Sequence, residues 1–326
     1  MMTGVLLSEH GLRVGDKRIA RSMHAVAPGD YELRSINMGR LLNPVPYMAE
    51  YYGHKVHVDQ NEKLAMYGVT HVVAVDGYSG RILGAAIMPE KNVIDIYESV
   101  FRPIMLENGL WDQWRVDHGR EFYLCLAVQD LLSGHRTNTD RCPYIQSLSS
   151  DNHRVERFWP EVNTRVNYPL KSLLNDLVNT DLLDLTDGMD RFASSVVTMG
   201  AAEAGMEKLV RAWNSHPIPR KGVPDVVAQC NNRTGVIDPC LVPSTDEAVI
   251  WYEETGGPLT RSRTFGDDLL HNVPALQLER DRLWLEASPT FDQIFSDAVS
   301  GTGTLFKDGI LAHAELTQEI AAQHIG

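Results

Sequence analysis

The sequence predicts an α/β fold whose mixed sheet starts as three antiparallel strands and then grows by βα units. Three observations carry this expectation. Residues 55–87 hold three strand-like runs, two of them joined by an Asp-Gly turn. From residue 93 onward, amphipathic helical runs alternate with short apolar strands. Acidic residues stand inside one of these strands and at the end of another. At 326 residues, with 43% hydrophobic and 22% charged residues, the chain has ample material for a large core.

At the N-terminus, a short apolar piece and a Gly-containing turn precede Ile19, Met23 and Val26 at helical spacing. Residues 16–26 therefore read as the second helix of a partial helix-turn-helix, with Lys17, Arg18 and Arg21 on its other faces as candidate nucleic-acid contacts. Next, KVHVDQNEKL (55–64) alternates early, GVTHVVAVDGYSG is β-branched, and RILGAAIM follows directly. Asp76-Gly77 with Gly80 makes an antiparallel hairpin of the second and third runs. Ile94, Tyr97, Val100, Phe101, Ile104 and Met105 share one face of a helix over 93–108. Gln113–Asp117 is a short strand, and 120–134 a helix with Phe122, Leu126, Val128 and Leu131 among its apolar positions. Pro143–Ser147 is the last strand, and the polar loop Leu148–Asn152 opens another helix. The stripe Val162, Val166, Leu170, Leu173, Leu174, Leu177 continues it, kinked at Pro169. Beyond lie a helix over Ala202–Trp213, a turn-rich stretch with strand-like pieces over 230–285, and two helices about a GTGT turn in 289–324. The domain division is 1–50, 51–180 and 181–326, the last a mostly helical, acidic extension.

Charge is distributed unevenly. Residues 1–58 carry seven Lys+Arg against five Asp+Glu, residues 59–171 carry 12 against 15, and residues 172–326 carry 11 against 23. A phosphate backbone suits the first half; the acidic last half suits protein partners or self-association. The four cysteines lack CxxC spacing and read as reduced thiols of an intracellular protein, with no zinc site. No signal peptide and no apolar run of membrane-spanning length is expected.

Three acidic residues stand where this element order would gather them. Asp59 lies on the first strand, Asp117 ends the fourth, and Glu156 lies on the helix after the last. Alone, Asp117 reads as a turn residue and Glu156 as a solvated helix face. Asp59 is harder to dismiss, because a carboxylate in an apolar strand needs a partner or an ion. Together they suit phosphodiester chemistry, which uses two hard divalent ions with oxygen ligands. Asp76 belongs to the hairpin turn.

These motifs bear a family likeness. HVDQNEKL, VDGYSGRI, RVDHGREF and SDNHRVERFWPEVN, in that order over residues 55–171, resemble the integrase catalytic core of retroviral integrases and DDE transposases. The nearest resemblance is to eukaryotic integrase-core and Ginger-type transposase-derived proteins. It extends weakly over GLRVGDKRIARSM and RAWNSHPIPRKGVP. The resemblance implies a ribonuclease-H-like fold. It also implies Asp59, Asp117 and Glu156 as catalytic, metal-binding carboxylates for two Mg²⁺ or Mn²⁺ ions, and DNA cleavage followed by strand transfer. Lys63, Arg154 and Arg157 become candidate phosphate contacts. A homo-oligomer, DNA as partner and a nuclear location in a eukaryote are further expectations from the family. Two departures stand out. Many relatives carry a tryptophan and a glycine beside the first aspartate; this chain lacks that tryptophan and has Gln60 after Asp59. Pro160 stands four residues after Glu156, where proline inside a helix costs about 3 kcal/mol, so a kink is expected there. These departures keep an alternative open: a domesticated, inactive module that binds nucleic acid or protein. A ribonuclease-H-like nuclease without strand transfer would use the same residues.

Overall fold

A computed structural model describes Leu12 and residues 14–29, 47–147, 153–218, 221–259 and 263–324. The chain forms two compact units, Met1–Met48 and Ala49–Gly326.

In the first unit the described helix is α1, Asp16–Val26. It falls on the residues expected for the second helix of a helix-turn-helix; residues 5–11 lie outside the described residues. The apolar stripe is narrower than its spacing suggests, since Ile19 is buried but Val26 is 84% exposed. Lys17, Arg18 and Arg21 are exposed.

The second unit is built on a five-stranded sheet in the order β3-β2-β1-β4-β5. The strands are β1 (Lys55–Leu64), β2 (Val69–Asp76), β3 (Ile82–Met88), β4 (Gln113–Val116) and β5 (Tyr144–Gln146). β1, β2 and β3 pair antiparallel, while β1–β4 and β4–β5 pair parallel. This is the ribonuclease-H-like mixed sheet that the element order implies. β2 is buried at every position, as its nearly unbroken apolar run requires of a strand covered on both faces. The β2–β3 turn closes with Gly80 at φ 76 and with the buried Asp76 carboxylate. That carboxylate accepts from Tyr78 N, Ser79 N, Ser79 Oγ and Trp111 Nε1.

Two cores fill the two faces. One joins Val56, Val58, Val72 and Ala74 to α2 (residues 93–108) and α3 (Tyr123–Leu131), with Trp111 and Trp114 in the same cluster. All six apolar residues expected on α2 are buried, whereas Leu131 of α3 is exposed. Helix α2 runs as Val93–Ile96 and Arg102–Asn108, joined by a π-turn over Tyr97–Phe101. On the other face, Leu64, Val69, Val73 and Val75 meet α4 (His153–Glu156), α5 and α6 (Gly188–Ser215). Helix α5 runs as Trp159–Val162 and Tyr168–Asn179, with a π-turn over Asn163–Asn167 between them.

Both π-turns have one physical origin. A proline ring clashes with the carbonyl four residues earlier and offers it no N–H. Pro103 and Pro169 place that carbonyl at Ser99 and Arg165, in the middle of each π-turn. The wider turn makes room for the ring and lets the helix continue. The kink expected at Pro169 is thus a local widening. It also keeps Val162, Val166 and Leu170, spaced by four, on one buried face.

Helix α6 is more than twice the length its sequence suggests. Its first half, GMDRFASSVVTMG, is rich in poor helix formers, and Asp187 caps it by accepting from Met189 N and Asp190 N. Burial of Phe192, Ala193 and Val197 overrides the propensity. Of the strand-like pieces expected over 230–285, the structure has isolated bridges at Asn232 and Gly235, and helices dominate the rest. This stretch carries α7 (Pro224–Cys230, which begins just before it), α8 (Thr245–Glu254) and α9 (Pro274–Ala287). α8 is started by a Ser244/Glu247 capping box that the sequence displays. Helices α10 (Phe291–Ser300) and α11 (Thr304–His324) flank the expected turn, with Gly301 left-handed. Helix α10 docks on α6 at two glycines: Cβ atoms at Gly200 and Gly205 would collide with the rings of Phe291 and Phe295.

A side chain at that seam must expel a ring. Gly205→Val is expected to lower unfolding free energy by about 1–3 kcal/mol. Gly134→Ala, with open space around it, should stay within about 0.5 kcal/mol of the parent. Urea titration of the two variants checks the seam, and equal stability would argue against it.

Candidate functional site

The site lies midway along β1 and at the C-terminal end of β4, which pair parallel. Their register pairs Lys55 with Gln113, Val56 with Trp114 and His57 with Arg115, a constant offset of 58 residues. Asp59 and Asp117 are separated by the same 58 positions, so continuing the register sets them level with one another. Asp59 is only 9% exposed. Its Oδ2 accepts from Trp159 Nε1 at 2.9 Å. Asp117 follows the last residue of β4, and its Oδ1 accepts from Gly119 N at 2.9 Å, which holds the turn leaving the strand. Glu156 is the last residue of α4 and is half-buried.

The three carboxylates are close enough to act on one another. Burial, above all, raises the pKa of Asp59 from its ordinary 3.8 to about 6, and the charges of Asp117 and Glu156 add to the rise. The hydrogen bonds from Trp159 and from the Gln60 backbone oppose it without cancelling it.

Pro160 shapes this corner differently from the interior kink expected. The carbonyl its ring would strike belongs to Glu156, and the helix ends there. Arg157 and Phe158 make a turn, with Phe158 N donating to Val155 O at 2.9 Å. Pro160 then falls in the first turn of α5, where its missing N–H is no loss. The proline therefore carries no interior penalty. The break leaves Arg157 exposed, buries Phe158 and puts the Trp159 indole on Asp59.

Two polar networks brace the strand. On the Asp59 side, Asn61 Nδ2 donates to Asn163 Oδ1, and Asn167 Nδ2 donates to both Asn61 Oδ1 and Asn163 Oδ1. The π-turn of α5 contains both partner asparagines. Gln60, standing where many relatives have glycine, donates through Nε2 to the buried Glu121. Lys91 bridges Glu121 and Glu62. The partners of Gln60 and Asn61 were not legible in the sequence, since they stand 61 to 106 residues away.

Of the expected cationic contacts, Lys63 and Arg157 are exposed and Arg154 is half-buried. Lys17, Arg18 and Arg21 lie on α1, in the other compact unit. The loop Leu148–Asn152 lies outside the described residues.

An all-oxygen set of three carboxylates, one driven toward protonation by burial and further by the charges of the other two, suits a hard divalent cation that keeps part of its water. As they stand, no three acidic, histidine or cysteine side chains among the described residues close round a single point as metal ligands. A bound cation would have to draw the carboxylates further together.

The raised pKa makes a stability prediction. Folded Asp59 holds its proton more tightly than unfolded Asp59, so its charge is no burden below about pH 4 and a full burden above about pH 6. Asp59→Asn keeps an acceptor for Trp159 and is expected to stabilise the ion-free protein by about 1–3 kcal/mol near pH 7.5, and by less near pH 5. Urea unfolding at the two pH values reads this. A loss of stability near pH 7.5 would mean that the charge is favourably held.

No curated protein matches the sequence. A family model described as integrase core domain matches residues 47–223, which span the sheet, the three carboxylates and helices α2 to α6. The chain belongs to the integrase core domain family.

Proposed function

We propose that the protein is a DDE-type polynucleotidyl transferase that cleaves DNA and joins the freed end to a target, with Asp59, Asp117 and Glu156 as its catalytic carboxylates. The observation that carries this reading is their position. Asp59 on β1 and Asp117 just past the end of β4 keep the 58-residue offset of that parallel pair, and Glu156 is near enough to raise the pKa of Asp59. Two Mg²⁺ or Mn²⁺ ions held by these residues would activate the attacking oxygen and stabilise the leaving one.

The chain's own residues do the positioning. Trp159 orients the Asp59 carboxylate through Oδ2. Gly119 N does the same for Asp117. The asparagine trio ties β1 to α5, so that Asp59 cannot slide relative to the helix beside it. Lys63, Arg154 and Arg157 meet phosphates; Lys17, Arg18 and Arg21 give the N-terminal region, 1–50, a DNA-docking role. Residues 181–326 offer an acidic surface for protein partners or for a second copy. The reaction consists of hydrolysis at an element end and attack of the resulting 3′-OH on target DNA.

One observation favours a second reading, an integrase-derived module that binds without cutting. Trp159 occupies an oxygen of Asp59, and no ligating trio is closed among the described residues. A strand-transfer assay with Mg²⁺ or Mn²⁺ separates the two. Asp59→Asn, Asp117→Asn and Glu156→Gln should each lower the rate by about 10³-fold or more, and pairs of changes should be little worse than one. Unaltered transfer by Asp59→Asn would sink the mechanism. Mn²⁺ at about 100 times its dissociation constant should also stabilise the parent by about 2.7 kcal/mol and leave Asp59→Asn unmoved. Protonation of Asp59 competes with the ion, so this stabilisation should fade as the pH drops below about 6. DNA binding with neither transfer nor a metal effect would favour the binding module.

A further inference from the structure

We propose that Lys221, together with Arg154 and Arg157, forms a phosphodiester-binding site beside the carboxylates, gripping the backbone of the DNA strand that enters them. This rests on the DNA-acting reading above and adds a residue from a distant part of the chain.

Lys221 lies just beyond α6 in a tight turn. Lys221 N and Gly222 N both donate to Ile218 O, and Gly222 is at φ 98. The turn lays the lysine along the β2–β3 hairpin. Its Nζ is 3.4 Å from Gly77 O, and a Cβ on Gly80 would stand 3.1 Å from it, so Gly80 leaves room for the ammonium group. The same hairpin turn is tied to the break after Glu156. Trp213 Nε1 donates to Gly80 O at 3.0 Å, and the Phe158 ring packs edge-on against Trp213 at 5.0 Å. Lys221 and the two arginines on either side of Val155-Glu156 are thereby brought to one corner of the sheet.

The electrostatics of that corner favour an anion. Burial, then Arg154, then Arg157 pull the Lys221 pKa down to about 8, and Asp76 only partly opposes them. Asp76 is buried, accepts four hydrogen bonds from the hairpin and from Trp111, and attracts Lys221 without restoring its ordinary pKa. The charges of Arg154 and Arg157 bear unfavourably on the Lys221 ammonium, and an anion placed among the three would relieve that repulsion. A phosphodiester matches the set, because lysine meets it as a point charge and arginine as a planar fork. Arg157 begins this site one residue from Glu156, so a strand held here runs directly to the carboxylates.

The test uses the full chain, a fluorescent duplex oligonucleotide and EDTA, with affinity read by anisotropy over a salt series. Lys221→Gln and Arg157→Gln should each flatten the slope of log K against log salt by about 0.9, the value for one lost phosphate contact on duplex DNA. Lys221→Arg should keep the slope. So should Lys208→Gln, which removes a surface lysine paired with Asp292. Raising the pH from about 7 to 9 should weaken binding by the parent more than by Lys221→Arg, because only the lysine loses its charge there. An unchanged slope in folded Lys221→Gln overturns the site. Should that variant fail to fold, an unchanged slope in Arg157→Gln, altered at an exposed position, overturns it equally. Absence of salt-dependent binding by the parent would remove the DNA-acting reading itself, which is a different failure.

Discussion

A carboxylate buried on the central strand is the constraint around which the rest of the structure is arranged. Asp59 cannot be surrounded by apolar side chains alone, because an unpaired buried charge is too costly. Its neighbours are accordingly polar or charged: an indole N–H from α5, the carboxylate at the end of β4 and the one at the end of α4. Two of those neighbours make the charge less comfortable. A stabilising arrangement would have set a lysine or arginine there. Like-charged groups gathered at this corner, two at the sheet and one on α4, cost stability in the absence of a cation.

Proline is the second organising element. Three prolines each sit in the first turn of a helical segment, and each confronts a carbonyl four residues back. Where the helix continues, at Pro103 and Pro169, the backbone widens into a π-turn. Where Pro160 faces Glu156, the helix ends, and the chain re-enters helix with Trp159 under Asp59. The π-turn before Pro169 also presents Asn163 and Asn167, four residues apart, to Asn61. A rule about a missing N–H thus decides which side chains reach the strand.

What could be read from sequence divides along the range of the interactions involved. The sheet order was legible because it is written in local patterns: β-branched runs, Asp76-Gly77 and the apolar spacing of α2. The positions of Asp59 and Asp117 were legible because a carboxylate inside an apolar strand and a turn at a strand end are local features too. Their level alignment needed the β1–β4 register, and the Trp159 bond joins residues 100 positions apart. Neither has a local signature. Helix α6 was cut short because propensity spoke against GMDRFASSVVTMG and only tertiary burial spoke for it. The helices of 230–285 were missed for another reason. Ser244 and Glu247 spell a capping box, but turn-forming residues crowd both sides of it and mask the helix it starts.

The seating of Phe291 and Phe295 on Gly200 and Gly205 has a consequence for how this protein can be taken apart. The matched family region ends at residue 223, yet residues of α10 and α11 share one core with α5, α6 and β2. A shortened chain ending there would leave two bare glycines and a strip of Val197, Ala201 and Leu209 facing water. The sheet of the matched region and the acidic helices that follow it are therefore not separable parts to be trimmed or transplanted at will. They are halves of one fold, and any change that tunes the charge of one must be made on the surface, with the shared interior left intact.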